Sequence, residues 1–314
     1  MGLTDARFLA DIPTMIRIFD YIFALRPMLI IPVWTIFLLG YFRGGGRPEI
    51  FNLTAALLSA TLAAGAVFVL NQICDLESDR INDKGQFFTK GILTIRAGLN
   101  MVIILDLLAL CLGALISLEF AVGIAAVIVL GILYSVKPIS LKDRPIPALL
   151  TNGFGHGTLI FLLGWIAADG GIRPGLYYSV PYFLAVGAIY IGTTIPDIRG
   201  DIATGKITLA VLLGEFYCGL LILIMIAAAA VTTAFLGDAP MFYGCCAALV
   251  LQIASVVFRS RRLQMLTVKI AILILSLAAG VKYPLYIIWL IGVIIATRIY
   301  HKYRLGLEYP SLAA

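Results

Sequence analysis

Charge is scarce in this chain. Of its 314 residues only 13% are charged, against 61% hydrophobic and a mean hydropathy of +1.03. That shortage excludes a soluble domain of useful size, because no soluble core of this length needs so much apolar sequence. Cysteine is also sparse. The five residues, Cys74, Cys111, Cys218, Cys245 and Cys246, are odd in number and form no CxxC pair. Most lie in apolar runs, where a reduced cysteine behaves as a small hydrophobe, so neither a disulfide framework nor a zinc site is expected. Low-complexity sequence is absent. The first seven residues lack a charged-then-apolar leader with a small-residue cleavage site, so no removable signal is expected.

What the chain has is apolar runs of membrane-spanning length. Ten recur, at 22–41, 53–74, 97–117, 120–136, 147–168, 176–195, 209–236, 240–258, 266–281 and 284–300. Residues 1–20 are mildly amphipathic and read as a helix lying at the membrane interface. Three separators are longer and polar (75–96, 137–146 and 196–208), and a fourth, 259–265, is basic. The pattern predicts an all-α polytopic transmembrane bundle of nine or ten spans.

The net charge of +6 has a topological origin rather than a nucleic-acid partner. With the N-terminus in the cytoplasm, the four long separators and the C-terminal tail share that side. All but four of the 23 basic residues then lie there, the exceptions being Arg43, Arg47, Arg173 and Lys282.

This orientation brings two acidic patches to one face. Asp75 and Asp79 end the second run, with Asn71 one turn earlier; Asp197 and Asp201 end the sixth. The constant offset between the two pairs hints at an internal repeat. In a helix, residues four apart share one face, so each pair presents two carboxylates together. Solvated loop ends or salt-bridge partners would explain a single pair. Two pairs on one side suit a divalent cation shared with a polyanion. Mg²⁺ prefers oxygen ligands and binds through one or two carboxylates plus substrate phosphates.

Cations accompany the acids. Lys137, Lys142 and Arg144 lie in the 137–146 separator, Lys206 follows the second patch, and Arg26 lies early in the first run. Lys137 and Arg144 fit the topological bias alone. An arginine inside an apolar run needs a reason, so Arg26 stands out. Tyr134 and Ser135 offer hydroxyls, or serve as interfacial anchors. Asp106 lies mid-span in the third run; Asn152 and His156 share a glycine-rich stretch suited to close helix packing. Each reads either as a functional group of an acceptor site or tunnel, or as an internally paired residue.

On these motifs the chain resembles the UbiA superfamily of intramembrane prenyltransferases. Asn71, Asp75 and Asp79 are similar to its first signature, NxxxDxxxD, and Asp197 and Asp201 to its second, DxxxD. The run from Gly205 to Gly214 resembles the tail after the second signature, and Tyr134–Ser135 to Lys142 its YS…P…K loop. The likeness covers roughly residues 20 to 260 in order and spacing. Two departures stand out. Gln72 replaces the usual second-position aspartate, and 82–91 lacks the Arg-Pro pairs of the commonest quinone-pathway subfamily.

The resemblance implies a single transmembrane domain over 1–314 with a central, cytoplasm-facing cavity, in a prokaryotic inner membrane. It implies Mg²⁺-dependent transfer of a prenyl group from a polyprenyl diphosphate to an aromatic or other lipophilic acceptor. Asn71, Asp75, Asp79, Asp197 and Asp201 would serve the metal, and Arg26, Tyr134, Ser135, Lys142 and Lys206 the diphosphate. Two alternatives stay open: a terpene cyclase or diphosphate hydrolase on the same scaffold, and a cation-coupled transporter using Asp106.

Overall fold

The computed structural model describes residues 14–46, 50–82 and 85–310, and every regular element among the described residues is helical. α1 (Thr14–Ala24) and α2 (Pro27–Arg43) form a bent pair, followed by α3 (Ile50–Cys74), α4 (Leu76–Ile81) and α5 (Gln86–Thr89). α6 (Ile95–Ile116) and α7 (Leu118–Ser135) come next. Then α8 (Pro145–Asn152), a π-helical stretch (Gly153–Leu159) and α9 (Ile160–Ala167) run on as one span. α10 (Ile172–Thr194) leads through a 3-10 turn (Ile195–Asp197) into α11 (Ile198–Ala203). α12 (Leu209–Leu236), α13 (Ala239–Val257), α14 (Arg261–Lys282) and α15 (Pro284–Tyr300) follow, and a π-helical turn (His301–Leu305) extends α15. Among the described residues nine helices are long and apolar enough to cross a membrane, or ten if α1 and α2 count as one broken span. The protein is a multi-pass helical membrane protein, as its hydropathy predicts.

The chain marks its own helix ends. Hydroxyl or carboxylate side chains cap the first turns: Thr94 accepts from Ala97 N (3.1 Å), Ser117 from Phe120 N (3.0 Å) and Asp238 from Met241 N (3.2 Å). Proline occupies the first turn of α2, α8, α13 and α15, where a missing N–H costs nothing. Gly237, at φ 62°, stops α12 with the left-handed residue such a terminus needs.

Three expectations need correcting. The first run, 22–41, is not one straight helix. α1 ends at Ala24, Arg26 turns left-handed (φ 56°, ψ 64°), and the axis bends by 49° into α2. Pro27 is the cause, since it lacks a donor and disfavours right-handed helix in the residue before it. Arg26 thus sits at an elbow rather than inside a span. The run 266–281 starts earlier, at Arg261, because Ser260 caps it by accepting from Leu263 N (3.3 Å). The separators 75–96 and 196–208, expected as loops, contain α4, α5 and α11. Most of the interfacial helix expected over 1–20 lies outside the described residues.

Lipid removes the hydrophobic drive between helices, so close packing through small residues must replace it. α2 and α9 meet through Gly40 and Gly164. A Cβ on Gly40 would strike the carbonyl oxygen of Phe161, and one on Gly164 that of Phe37. α3 packs along α6, α10 along α12, and α13 between α12 and α14. The bundle leaves a cavity of about 860 Å³ between α2, α3, α7, the α8–α9 span, α10 and α14.

Candidate active site

The cavity is polar at one end and mostly apolar along its length. Asn71, Asp75, Asp197, Asp201, Lys142 and Lys206 line the polar end. Val67 and Phe68 of α3, Val127 and Leu130 of α7, and Val186 and Ile189 of α10 line the shaft. Tyr182 and Met241 line it as well, and the Tyr182 hydroxyl donates to Asp238 Oδ2 (2.9 Å) beyond them. Fifteen residues separate Tyr182 from Asp197, so the shaft extends about 22 Å from the acids at helical rise.

The two acidic patches converge on one ammonium. Lys206 Nζ donates to Asp75 Oδ1 at 3.2 Å and lies 4.0 Å from Asp201 Oδ1. The strand-free turn Gly205 to Thr208 delivers it: Gly205 takes φ 71°, and Lys206 N bonds back to the Asp201 carbonyl at 2.8 Å. Thr208 then caps α12 and also donates to Asp201 Oδ2 (3.2 Å). Lys142, only 4% exposed, pairs with Asp75 Oδ1 (3.0 Å) and donates to Asn71 Oδ1 (3.1 Å). A buried lysine needs such partners.

Asn71, Asp75 and Asp79 keep their stripe across the junction of α3 and α4. Asp75 N bonds to the Asn71 carbonyl (2.9 Å) and Asp79 N to the Asp75 carbonyl (2.8 Å). Burial pushes the Asp75 carboxyl up, but Lys142 and Lys206 outweigh it and hold it below the usual carboxylate range. Burial pulls the Lys206 ammonium down; Asp75 and Asp201 more than offset this, so its affinity for its proton is raised.

Several expected residues take places other than those foreseen. Asp79 does not line the cavity; it faces Arg26 Nη2 at 3.5 Å, and Arg26 lines the cavity. Ser135 is also behind the lining, where it donates to Asn71 Oδ1 (3.2 Å) and so orients an amide instead of meeting a ligand. Tyr134 lines the cavity with its hydroxyl in contact with Asn152 and Tyr190. His156 lines it too, stacked on Phe68 with centroids 5.5 Å apart. The π-helical stretch turns His156 inward, while Gly157 lets α10 approach so closely that a Cβ would lie 2.7 Å from the Tyr182 carbonyl. Asp106 is absent from the cavity. It lies four residues after Val102 and three before Ala109, on the face that α6 packs into the bundle, outside the lining of this cavity.

Gln72, the departure from the family signature, has a structural task. Its Nε2 donates to the Ala24 carbonyl (2.8 Å), the end of α1, and so ties the elbow to α3. The sequence reading missed Lys269 of α14, a mid-span lysine that lines the cavity beside Met265 and Ile272. The argument applied to Arg26, a lone cation in an apolar run, finds it. It also missed Thr208, and His301 and Tyr309 of the tail, which line the cavity mouth near Gln86 and Phe87.

Among the described residues no three of His, Cys, Asp and Glu form a closed metal cluster. The acids are instead interleaved with cations: Asp75, Asp79 and Asp201 each lie against Lys or Arg. The donors at the polar end are all oxygens, carboxylate and amide, which is the set that suits Mg²⁺ held jointly with phosphates rather than in an all-protein cage.

Residues 32–265 match the UbiA prenyltransferase family. The digeranylgeranylglyceryl phosphate synthase of Sulfurisphaera tokodaii is 26% identical over 201 residues, 62% of this chain and 67% of that protein. The enzyme of that name from Methanobrevibacter smithii is 30% identical over 167 residues, 51% of this chain and 57% of that protein. The matched stretches thus span about two thirds and just over half of those relatives. In fold the chain is similar to a UbiA homolog from Archaeoglobus fulgidus bound to GPP and Mg²⁺. The TM-score is 0.65 at 19% identity, covering 84% of this chain and 98% of that one.

Proposed function

The chain belongs to the UbiA prenyltransferase family, and from that premise we propose that it transfers a prenyl group from a polyprenyl diphosphate to a lipophilic acceptor inside the membrane, with Mg²⁺ as cofactor. One observation carries the reading: an apolar shaft ends in a cluster where acids and lysines alternate around Asp75. Such a cavity matches a molecule with a long hydrocarbon chain and a multiply charged head.

The named acids, Asp75, Asp79, Asp197 and Asp201, outnumber the cations Arg26, Lys142 and Lys206 beside them. A diphosphate cannot enter such a cluster without added positive charge. Mg²⁺, when bound, would neutralise the charge that develops on the departing diphosphate. Asn71, Asp75, Asp197 and Asp201 would hold it, with Asp79 supporting through Arg26. Lys142, Lys206 and Arg26 would contact the phosphate oxygens, and Ser135 would fix the Asn71 amide. The allylic C–O bond then breaks, its electron pair leaves with the diphosphate, the acceptor's nucleophilic oxygen or carbon captures the allylic carbon, and the proton that atom carried passes to the departing diphosphate. Phe68, Tyr134, Tyr190 and His156 offer π faces to that carbon, and the apolar shaft keeps out the water that would otherwise hydrolyse it.

The acceptor proposed is a glycerol lipid bearing a phosphate, the class that the names of the two relatives imply. Lys269 supports it, since it places a further cation in the cavity wall. The basic bias supports a site on the cytoplasmic face, with Arg43 and Lys282, exceptions to that bias, at the other end. There Arg43 donates to the carbonyls of Leu236 (2.9 Å) and Gly237 (3.2 Å).

The test is pyrophosphate release by the purified protein in lipid nanodiscs with Mg²⁺ and geranylgeranyl diphosphate. Release that requires geranylgeranylglyceryl phosphate supports the reading. Release that requires an aromatic acid redirects it to an aromatic acceptor. Release without acceptor indicates a cyclase or hydrolase, and none with any acceptor refutes it. Asp75→Ala and Asp197→Ala should each abolish turnover while the protein still inserts.

A further inference from the structure

The elbow that carries Arg26 is held from the other end of the chain. Asp20 of α1 is 2% exposed and carries a full set of partners. Arg304 grips it with two parallel bonds, Nε to Oδ1 at 2.9 Å and Nη2 to Oδ2 at 3.0 Å, and Tyr300 donates to Oδ1. A bidentate, charge-assisted pair of this kind fixes direction as well as distance. Rings lock the same junction. Tyr300 stacks on Phe23 with centroids 4.0 Å apart and on Phe87 at 6.2 Å, while His301 meets both edge-on. The tail then reverses at Gly306 (φ 68°), Leu307 N bonding back to the His301 carbonyl at 3.1 Å, and Tyr309 comes to rest 4.8 Å from the His301 ring. Phe23, Phe87, His301 and Tyr309 line the cavity beside Arg26.

Both halves of this junction lie outside residues 32–265, the segment matched by the family. Five residues separate Asp20 from Arg26, and the intervening backbone is pinned by Gln72 at Ala24. We infer that the Asp20–Arg304 clasp is a positioning device for Arg26: by tying the tail to α1 it holds the elbow where Arg26 meets Asp79 and the diphosphate end of the cavity. This rests on the reading of the polar end as a diphosphate site. Arg304 need not touch substrate; the clasp acts through the elbow.

The experiment measures binding of geranyl diphosphate in saturating Mg²⁺ by calorimetry, which needs no acceptor. Arg304→Met alone would leave a buried carboxylate unpaired and risk the fold. The informative variant is therefore Asp20→Asn with Arg304→Met, which removes both charges. It should keep a melting temperature near the parent's and weaken binding about tenfold, the worth of one misplaced bond to a charged group. Arg304→Lys, which keeps the charge without the fork, should recover part of the loss. In an Arg26→Ala background the paired change should weaken binding no further. Unaltered affinity in the paired variant overturns the inference, and so do losses that multiply with Arg26→Ala. No binding by the parent protein removes the diphosphate reading and this inference with it.

Discussion

Lys206 should affect metal and diphosphate in opposite directions. Its ammonium lies 3.2 Å from Asp75 Oδ1 and 4.0 Å from Asp201 Oδ1, and both partners are largely buried. At 3.2 Å the bare attraction to Asp75 is about 5 kcal/mol for an effective dielectric constant of about 20. Desolvation takes back most of it, and hydrogen bonds to charged groups contribute about 1.5–3 kcal/mol net. A divalent cation that binds before the diphosphate must compete with this ammonium for Asp75. Lys206→Met should therefore raise the affinity for Mn²⁺ or Mg²⁺ alone by about ten- to a hundredfold. Lys142 still occupies the same carboxylate at 3.0 Å, which places the expected effect at the lower end. With saturating Mg²⁺ present, geranyl diphosphate should bind more weakly by a similar factor, because one cation is missing from the phosphate shell. Both constants come from calorimetry on one preparation, with Mn²⁺ resonance as a check on the first. A fall in both affinities would refute the reasoning and make Lys206 a structural tie between α3 and α12.

Three further outcomes are expected. Gly164→Ala should destabilise the bundle by about 1–3 kcal/mol or more, since the added Cβ meets the Phe37 carbonyl and lies 2.8 Å from Tyr41 N; a detergent melt equal to the parent's would show that α2 and α9 can separate freely. Lys269→Met should raise KM for geranylgeranylglyceryl phosphate about tenfold with KM for geranylgeranyl diphosphate unaltered; an equal rise in both would place Lys269 at the diphosphate instead. Neither Asp75 nor Lys206 should titrate near neutrality. Asp75, with its pKa lowered, contributes stability that is present above its unfolded value of about 3.9 and is lost as pH falls through the folded one. Lys206, with its pKa raised, contributes stability that is full below about 10.4 and is lost as pH rises through the folded value. The melting difference between the parent and Asp75→Asn should thus stay constant from about pH 5 to pH 9, and a slope inside that window would contradict the pairing.

The acids were legible because their signal is local. Asn71, Asp75 and Asp79 keep helical spacing across the junction at Asp75, and the positive-inside bias is enough to put Asp197 and Asp201 on the same side. What the spacing could not show is which neighbour each acid meets. Asp79 and Ser135 sit on the right faces at the right depth, yet Arg26 and Asn71 stand between them and the cavity. A break also has a weaker signature than a run. Leu25-Arg26-Pro27 contains the proline that bends the chain, but apolar residues continue on both sides, so hydropathy reads straight through the elbow. Asp106 stayed open in the sequence for a related reason: an intramembrane acid attracts attention by its depth, while its direction is set by how α6 packs against α3 and α7.

Apart from Arg26, the residues proposed for the diphosphate chemistry lie in the matched sequence, while part of the cavity wall comes from outside it. Every acid proposed to serve the metal, together with Lys142 and Lys206, lies within residues 32–265. Arg26 at the elbow, Lys269 on α14, and His301 and Tyr309 in the tail line the same cavity from outside that segment. Cleavage of an allylic diphosphate makes the same electrostatic demand whatever the acceptor, so its residues can be shared across a family. The acceptor differs from one enzyme to the next, and the wall that meets it must differ too. A chain that keeps the motifs while building one side of its cavity from its own ends can change acceptor without disturbing the acids. Substitutions at Lys269 should therefore alter acceptor preference at constant diphosphate KM, whereas no substitution among Asp75, Asp197 and Asp201 should do so without loss of turnover for every acceptor.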